Sequence, residues 1–172
     1  MYNFFFSLMV TTPISSVIVR CFSDDIYNKD VSCTQGLFIT SLVLVLFIQL
    51  PIALYFYKFY AKFSWTLSIS AIINLFIISS IWIVNSFISA LRNYVVVTKA
   101  FIYGGIISVM AGLSLFKLYG EIGILNGFSI GFSVIFAILA SRILIEFAYD
   151  YVYPKRFFYG FKLYWKIAVG GF

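Results

Sequence analysis

Charged residues vanish from four long stretches of this chain: residues 37–57, 63–91, 100–116 and 122–141 contain no Asp, Glu, Lys or Arg. A hydrocarbon core about 30 Å thick is crossed by roughly 20 apolar residues in a helix, so each stretch predicts a membrane span. With their flanks, the predicted transmembrane helices cover 37–57, 65–91, 99–117 and 122–145. Inside lipid every backbone donor and acceptor must be satisfied within the protein. Uninterrupted apolar runs of this length do that as helices rather than as barrel strands. The expected fold is all-α, a polytopic integral membrane protein whose residues 1–172 form a single membrane domain.

A fifth apolar stretch, residues 4–19, is short, and Thr11, Thr12 and Pro13 interrupt its middle. Proline removes one helical hydrogen bond and disfavours helix at the preceding residue. The stretch therefore reads as a bent, interfacial or re-entrant segment, with an extra span as the alternative. It has no basic residue before Arg20, unlike a secretory signal, and is expected to be retained. Residues 20–36 follow as a polar loop with Cys21, Asp24, Asp25, Lys29, Asp30 and Cys33.

The polar and small residues kept inside the spans carry most of the specific information. In the second span Asn74 and Asn85 are 11 residues apart, about three helical turns, and Ser70 and Ser89 flank them at one further turn. This polar stripe is expected to turn inward and hydrogen-bond a neighbouring helix. In the third span Gly104, Ser108 and Gly112 recur every fourth residue, and in the fourth Gly123, Gly127 and Gly131 do the same, beside Ser129, Ser133 and Ala137. Such rows let helix backbones approach closely, so the third and fourth spans predict a tight hairpin packed through their small faces. Gln49 and Pro51 lie in the second half of the first span, where the missing donor predicts a kink.

Charge collects at the ends of the spans. Lys99 and Lys117 bracket the third span about 27 Å apart along the axis, suited to reaching opposite interfaces. Arg142 and Glu146, one turn apart near the end of the fourth span, are expected to form an interfacial ion pair. Residues 151–172 form a basic aromatic tail. Wound as a helix, it sets Lys155, Lys162 and Lys166 opposite Phe157, Phe161, Trp165 and Ala168. With Arg156, the candidate lipid or partner contacts are Lys155, Lys162, Trp165 and Lys166, on a helix lying at the membrane surface. Four spans gather Arg20, Lys29, Arg92, Lys99 and the tail cations on one side, against Lys58, Lys62 and Lys117 on the other. The positive-inside rule then puts the tail in the cytoplasm, or the matrix of a mitochondrion, and the membrane reads as a bacterial or mitochondrial inner membrane. Cys21 and Cys33 fall on the same side, where thiols stay reduced, so unbridged thiols are expected rather than a disulfide.

The formal net charge of +6 could suggest nucleic acid, but basic residues placed singly beside span ends mark orientation and anionic lipid instead. The chain contains no histidine, which removes the usual imidazole ligand and general base, and two cysteines cannot complete a four-ligand site. None of the six acids is deep in a span, so an intramembrane carboxylate pair is not expected. No catalytic, cofactor or metal site is identified; bound lipids and other integral membrane subunits are the expected partners. The function read from these features is a non-catalytic structural or accessory subunit of a membrane complex. The alternative is a small oligomeric transporter or channel using the polar stripe, with Gln49 and Asn126 nearby and Arg142 and Glu146 as a gate.

Overall fold

The computed structural model describes residues 2–29, 34–147, 158–164 and 166. Its order is α1 (Tyr2–Tyr27), α2 (Thr34–Tyr55) with a π-helical turn at Phe56–Tyr60, α3 (Trp65–Ala90), α4 (Tyr94–Tyr119) and α5 (Glu121–Glu146). A further helical segment occupies 158–164. All five long helices are apolar enough to cross a membrane, and the protein is an all-α integral membrane protein.

The span count differs from the expected four because α1 is continuous through Pro13. The hydroxyls find acceptors within the helix: Thr11 Oγ1 donates to the Ser7 carbonyl at 2.6 Å, Thr12 Oγ1 to the Leu8 carbonyl at 2.7 Å and Ser16 Oγ to the Thr12 carbonyl at 2.9 Å. A side chain that bonds its own helix has no polar need left to break it. The helix then runs on past Arg20 to Tyr27, long enough to cross once its polar end is counted. The expected loop 20–36 accordingly contracts to the connection between Tyr27 and Thr34. Cys33 lies outside the described residues, and with it the question of its pairing.

Gln35, expected in that loop, is helical and 3% exposed. Its Nε2 donates to the carbonyls of Leu144 (3.2 Å) and Phe147 (2.6 Å), satisfying groups that the end of α5 leaves open. The start of α2 is thereby tied to the end of α5. Beside it, Phe22 sits 5.2 Å from Phe87 and 5.5 Å from Phe147 between ring centroids, and Phe38 sits 5.5 Å from Phe87. This aromatic cluster closes the end of the bundle that carries the α1–α2 and α3–α4 connections.

Alternate helices run parallel, and α3 is central. It packs on α1, α2 and α5, and buries residues from Ser68 to Ile88 on several sides. By contrast α4 packs almost wholly on α5 and buries only Ala100, Gly104, Ser108 and Gly112, one stripe at every fourth position. The turn between α4 and α5 is a single residue, Gly120, at φ +60° and ψ −135°, a conformation open essentially to glycine alone. That geometry is what folds the two spans back on each other so sharply.

At the opposite end from the Phe22 cluster, the π-helical turn is held by the Ala61 amide donating to the Phe56 carbonyl at 2.8 Å. Its rings stack: Phe56 on Tyr60 and Tyr57 on Phe63. Lys58 Nζ sits 4.3 Å from the centroid of Trp65, a cation on an aromatic face.

Candidate functional site

The expected polar stripe of α3 divides into two environments. Asn74, 4% exposed, is the centre of a network joining three helices. Asn3 Nδ2 from α1 donates to Asn74 Oδ1 at 2.9 Å and to the Ala71 carbonyl at 3.1 Å. Asn74 Nδ2 in turn donates to Ser129 Oγ on α5 at 3.1 Å, and Ser129 donates to the Leu125 carbonyl at 3.0 Å. The Tyr57 hydroxyl, from the π-helical turn, donates to Asn3 Oδ1. A carboxamide has two donors and two acceptor sites, so Asn3 and Asn74 can each bridge two neighbours. Ser70, one turn earlier on α3, is half-buried and stands outside this network.

Asn85 and Ser89 enter a groove between α1 and α3 with a volume of about 470 Å³. Thr11, Thr12, Ser15 and Ser16 line it from α1, and Trp82, Asn85, Ser86 and Ser89 from α3. Thr12 and Ser16 donate to their own helix, as does Ser86 to the Trp82 carbonyl at 2.9 Å, which leaves oxygen lone pairs as acceptors along the groove. Asn85 makes no hydrogen bond among the described residues and keeps both donor and acceptor for the groove. Among the described residues no charged one lines it. Leu8 and Val19 complete the lining, so its chemistry is that of a neutral, largely apolar surface set with hydroxyls, one carboxamide and one large aromatic face. Because α1 and α3 run parallel, the groove lies in the half of the bundle that ends in the α1–α2 and α3–α4 connections.

The small-residue rows of α4 and α5 meet. A Cβ on Gly104 would come within 2.9 Å of the Gly131 carbonyl oxygen, one on Gly131 within 2.6 Å of the Gly104 carbonyl oxygen, and one on Gly127 within 2.8 Å of the Ala111 carbonyl carbon. A Cβ on Gly123 would strike the Leu115 backbone. Ser108 is buried against Gly131, whereas Gly112 is needed where Gly127 crosses it and has open space on its own Cβ side. These contacts bring the two backbones together at Gly104, Gly123, Gly127 and Gly131, while a cleft of about 310 Å³ beside Ser108 and Gly112 lies along the hairpin.

The remaining candidates fall elsewhere. Arg142 and Glu146 are both exposed and form no ion pair among the described residues, contrary to expectation. Each is free to meet water or headgroups, and an exposed pair gains too little to hold two long side chains together. Neither they nor Asn126 nor Gln49 lines the groove. Lys162 and Lys166 are exposed, while Lys155, Arg156 and Trp165 lie outside the described residues. The segment 158–164 lies against α1 and α2: Phe158 and Phe161 border an apolar cleft of about 480 Å³ with Met9, Pro13 and Ile48, and the Tyr164 hydroxyl donates to Asp24 Oδ2. Asn3, Tyr57, Trp82 and the α1 hydroxyls went unread as site residues. Their signal was present, since positions 12, 15, 16 and 19 trace one helical face.

Comparison with curated proteins and with solved structures gives no match. The chain matches, over residues 1–172, the PelG family, described as Putative exopolysaccharide Exporter (EPS-E), and it belongs to that family of membrane exporters.

Proposed function

We infer that the chain takes part in moving a neutral carbohydrate polymer across a membrane, and that the α1–α3 groove is where part of that polymer lies. The observation that carries this reading is the groove's lining. Sugars offer hydroxyls that both donate and accept, together with apolar C–H faces. Thr12, Ser16 and Ser86 supply acceptors, Asn85 supplies both donor and acceptor, and Trp82 supplies a broad apolar surface with a single donor. A route without charge suits a polymer that must move on rather than stay bound. Membership of an exporter family points the same way, and the protein is accordingly read as non-catalytic.

Orientation follows from charge. With α1 as a span, Lys29, Arg92 and the tail cations still share the side on which the groove ends, and Lys58, Lys62 and Lys117 the other. That side is the cytoplasm under the positive-inside rule, with the chain in a bacterial inner membrane. An exporter loads there. Only Met1 changes sides relative to a four-span arrangement.

The test is Asn85→Leu and Trp82→Ala in cells that depend on this chain for surface polysaccharide. Exported polymer should fall about tenfold, equivalent to about 1.4 kcal/mol of lost interaction, while the amount of membrane-inserted protein stays constant. Normal export by both variants would exclude the groove as the path. The face of α4 that turns away from α5 carries Ile102, Ile106, Val109 and Leu113 to the outside, a surface that lipid tails or another membrane subunit would cover equally. Purification in mild detergent decides this point, since a chain that elutes alone, surrounded by lipid, has no such partner.

A further inference from the structure

The cleft between α1 and α2, about 480 Å³ in volume, is lined among the described residues by apolar side chains alone. Met9, Pro13 and Ile14 wall it from α1, and Leu44, Ile48 and Ile52 from α2. The three on α2 recur at every fourth position, so they form one row about 12 Å long. Phe158 and Phe161 complete the lining from the C-terminal segment. That segment is anchored further along α1: Gly160 lies against Cys21, whose Sγ stands where a Cβ would be, and the Tyr164 hydroxyl donates to Asp24. Cys21 and Asp24 are seven and ten residues beyond Ile14, about 10 and 15 Å along the axis toward the polar end of the helix. The two rings therefore border the cleft at the end nearer the headgroups.

The same end is basic. Phe158, Lys162 and Lys166 recur at every fourth position, so the edge of the segment that begins at the cleft continues as two exposed cations. Arg20, also exposed, is 11 residues or about three turns beyond Met9, which puts it on the cleft face of α1. None of the three forms an ion pair among the described residues. The neighbouring acids are engaged otherwise, since Asp24 accepts from Tyr164 and Asp25 is buried. An alkyl chain suits the cleft and an anion suits its rim. A lipid carries both in one molecule.

We propose that the α1–α2 cleft and its basic rim form a binding site for one anionic phospholipid. One acyl chain lies along the row of Leu44, Ile48 and Ile52, and the phosphate meets Lys162, Lys166 and Arg20. Apolar walls accept any chain, so selection belongs to the cations, each of which draws anionic lipid at a membrane surface. A lipid seated there contacts α1, α2 and the C-terminal segment together, and adds to the hold of Tyr164 on Asp24. The site is on the other side of α1 from the groove lined by Thr12 and Ser16, and it does not depend on the exporter reading.

The experiment purifies the full chain in mild detergent, supplies equal amounts of phosphatidylglycerol and phosphatidylcholine, and weighs the intact complex by native mass spectrometry. The parent should retain one lipid, with phosphatidylglycerol preferred more than tenfold. Replacing Lys162 and Lys166 by Ser should remove most of that preference, about fivefold for each lysine. Both are exposed, so the bundle itself is undisturbed. Ile48→Trp, which fills the cleft, should cut retention of either lipid at an unchanged melting temperature, whereas Ile102→Trp on the outer face of α4 should change neither. Equal retention of the two lipids by the parent, or a preference that survives loss of both lysines, would overturn the proposal. Full retention by Ile48→Trp would do so as well, because the lipid would then sit elsewhere on the protein surface.

Discussion

The α4–α5 hairpin and the α1–α3 contact draw on the same residue types, glycine, serine, threonine and asparagine, and use them in opposite ways. In the hairpin the glycines are consumed by close approach: Gly104, Gly123, Gly127 and Gly131 each face backbone or a packed side chain where a Cβ would stand. Between α1 and α3 consumption is partial. Asn74 bonds neighbours on α1 and α5 through its oxygen and its nitrogen, and Asn85, about three turns on, is bonded to none of the described residues. Without a hydrophobic driving force between helices, close backbone approach and interhelical hydrogen bonds are what hold a membrane bundle together. Where both are used up the contact is structural. Where polar groups are left over beside a groove, they are available to something that passes.

The hairpin side of this comparison is broken most severely by Gly127→Leu. The new side chain would meet the backbone of Gly112 and Ala111, which cannot yield as a side-chain tip can. Overpacking typically costs about 1–3 kcal/mol, and here the whole α4 contact depends on the crossing. The expected result is loss of most membrane-inserted protein, read by quantitative blotting of membrane fractions. Gly105→Leu is the control on the same helix. No atom lies within 4 Å of its Cβ position, so it should be tolerated. Equal damage from both would show that glycine matters to α4 for some reason other than its contact with α5.

The second prediction divides the polar stripe. Asn74→Leu removes two hydrogen bonds between helices, while Asn3 keeps the Ala71 carbonyl and Ser129 the Leu125 carbonyl, and each lost bond is worth about 0.5–1.5 kcal/mol. The melting temperature in detergent should fall by several degrees, and export with it. Asn85→Leu leaves no partner stranded among the described residues. Its melting temperature should stay within about a degree of the parent while export alone drops. Finding both variants destabilised alike would mean that Asn85 is another packing residue, and the distinction between the two ends of α3 would disappear.

How much of this was legible beforehand depended on whether a residue's role is local. The α4 and α5 rows are local: spacing of four puts Gly104, Ser108 and Gly112 on one face, and the short turn at Gly120 leaves little choice of neighbour. The membrane fold itself follows from stretches without charge. What was misread is α1. Thr11, Thr12 and Pro13 look like a break along the chain, whereas the helix continues through them and each hydroxyl bonds the carbonyl one turn before it, so neither hydroxyl needs a partner outside α1. The Arg142 and Glu146 pair failed in the reverse sense, since spacing permits an ion pair without making one worthwhile at an exposed surface. The Asn3, Tyr57 and Asn74 network joins residues about 70 positions apart, and no local pattern predicts that. Even so, the division of the stripe had a trace in the sequence, because Asn74 faces Ser129 at a level where α5 is lined with small residues, and Asn85 has Trp82 beside it.

The smallest expected effect concerns the tie between the C-terminal segment and α1. The Tyr164 hydroxyl donates to Asp24, and this hydrogen bond, followed by desolvation and the nearby carboxylate charge, raises the phenol above its usual 10.0. The neutral phenol is thus the form that the docked segment favours. A group whose folded value is raised contributes fully below its unfolded value and loses that contribution as pH rises through the folded one. The contact should therefore hold unchanged from pH 6 to about 9 and weaken only above about 10. Tyr164→Phe should loosen the segment to the same extent at every pH, because Asp24 then has no hydroxyl to accept from. Limited proteolysis after residue 147 reads the difference: the parent should become cleavable only at high pH, and the variant should be cleavable throughout. Since the segment also borders the apolar cleft through Phe158 and Phe161, the expected increase in cleavage is a few-fold rather than complete. A variant as resistant as the parent would place the whole hold in those two rings, and the polar end of α1 would then serve only the headgroups.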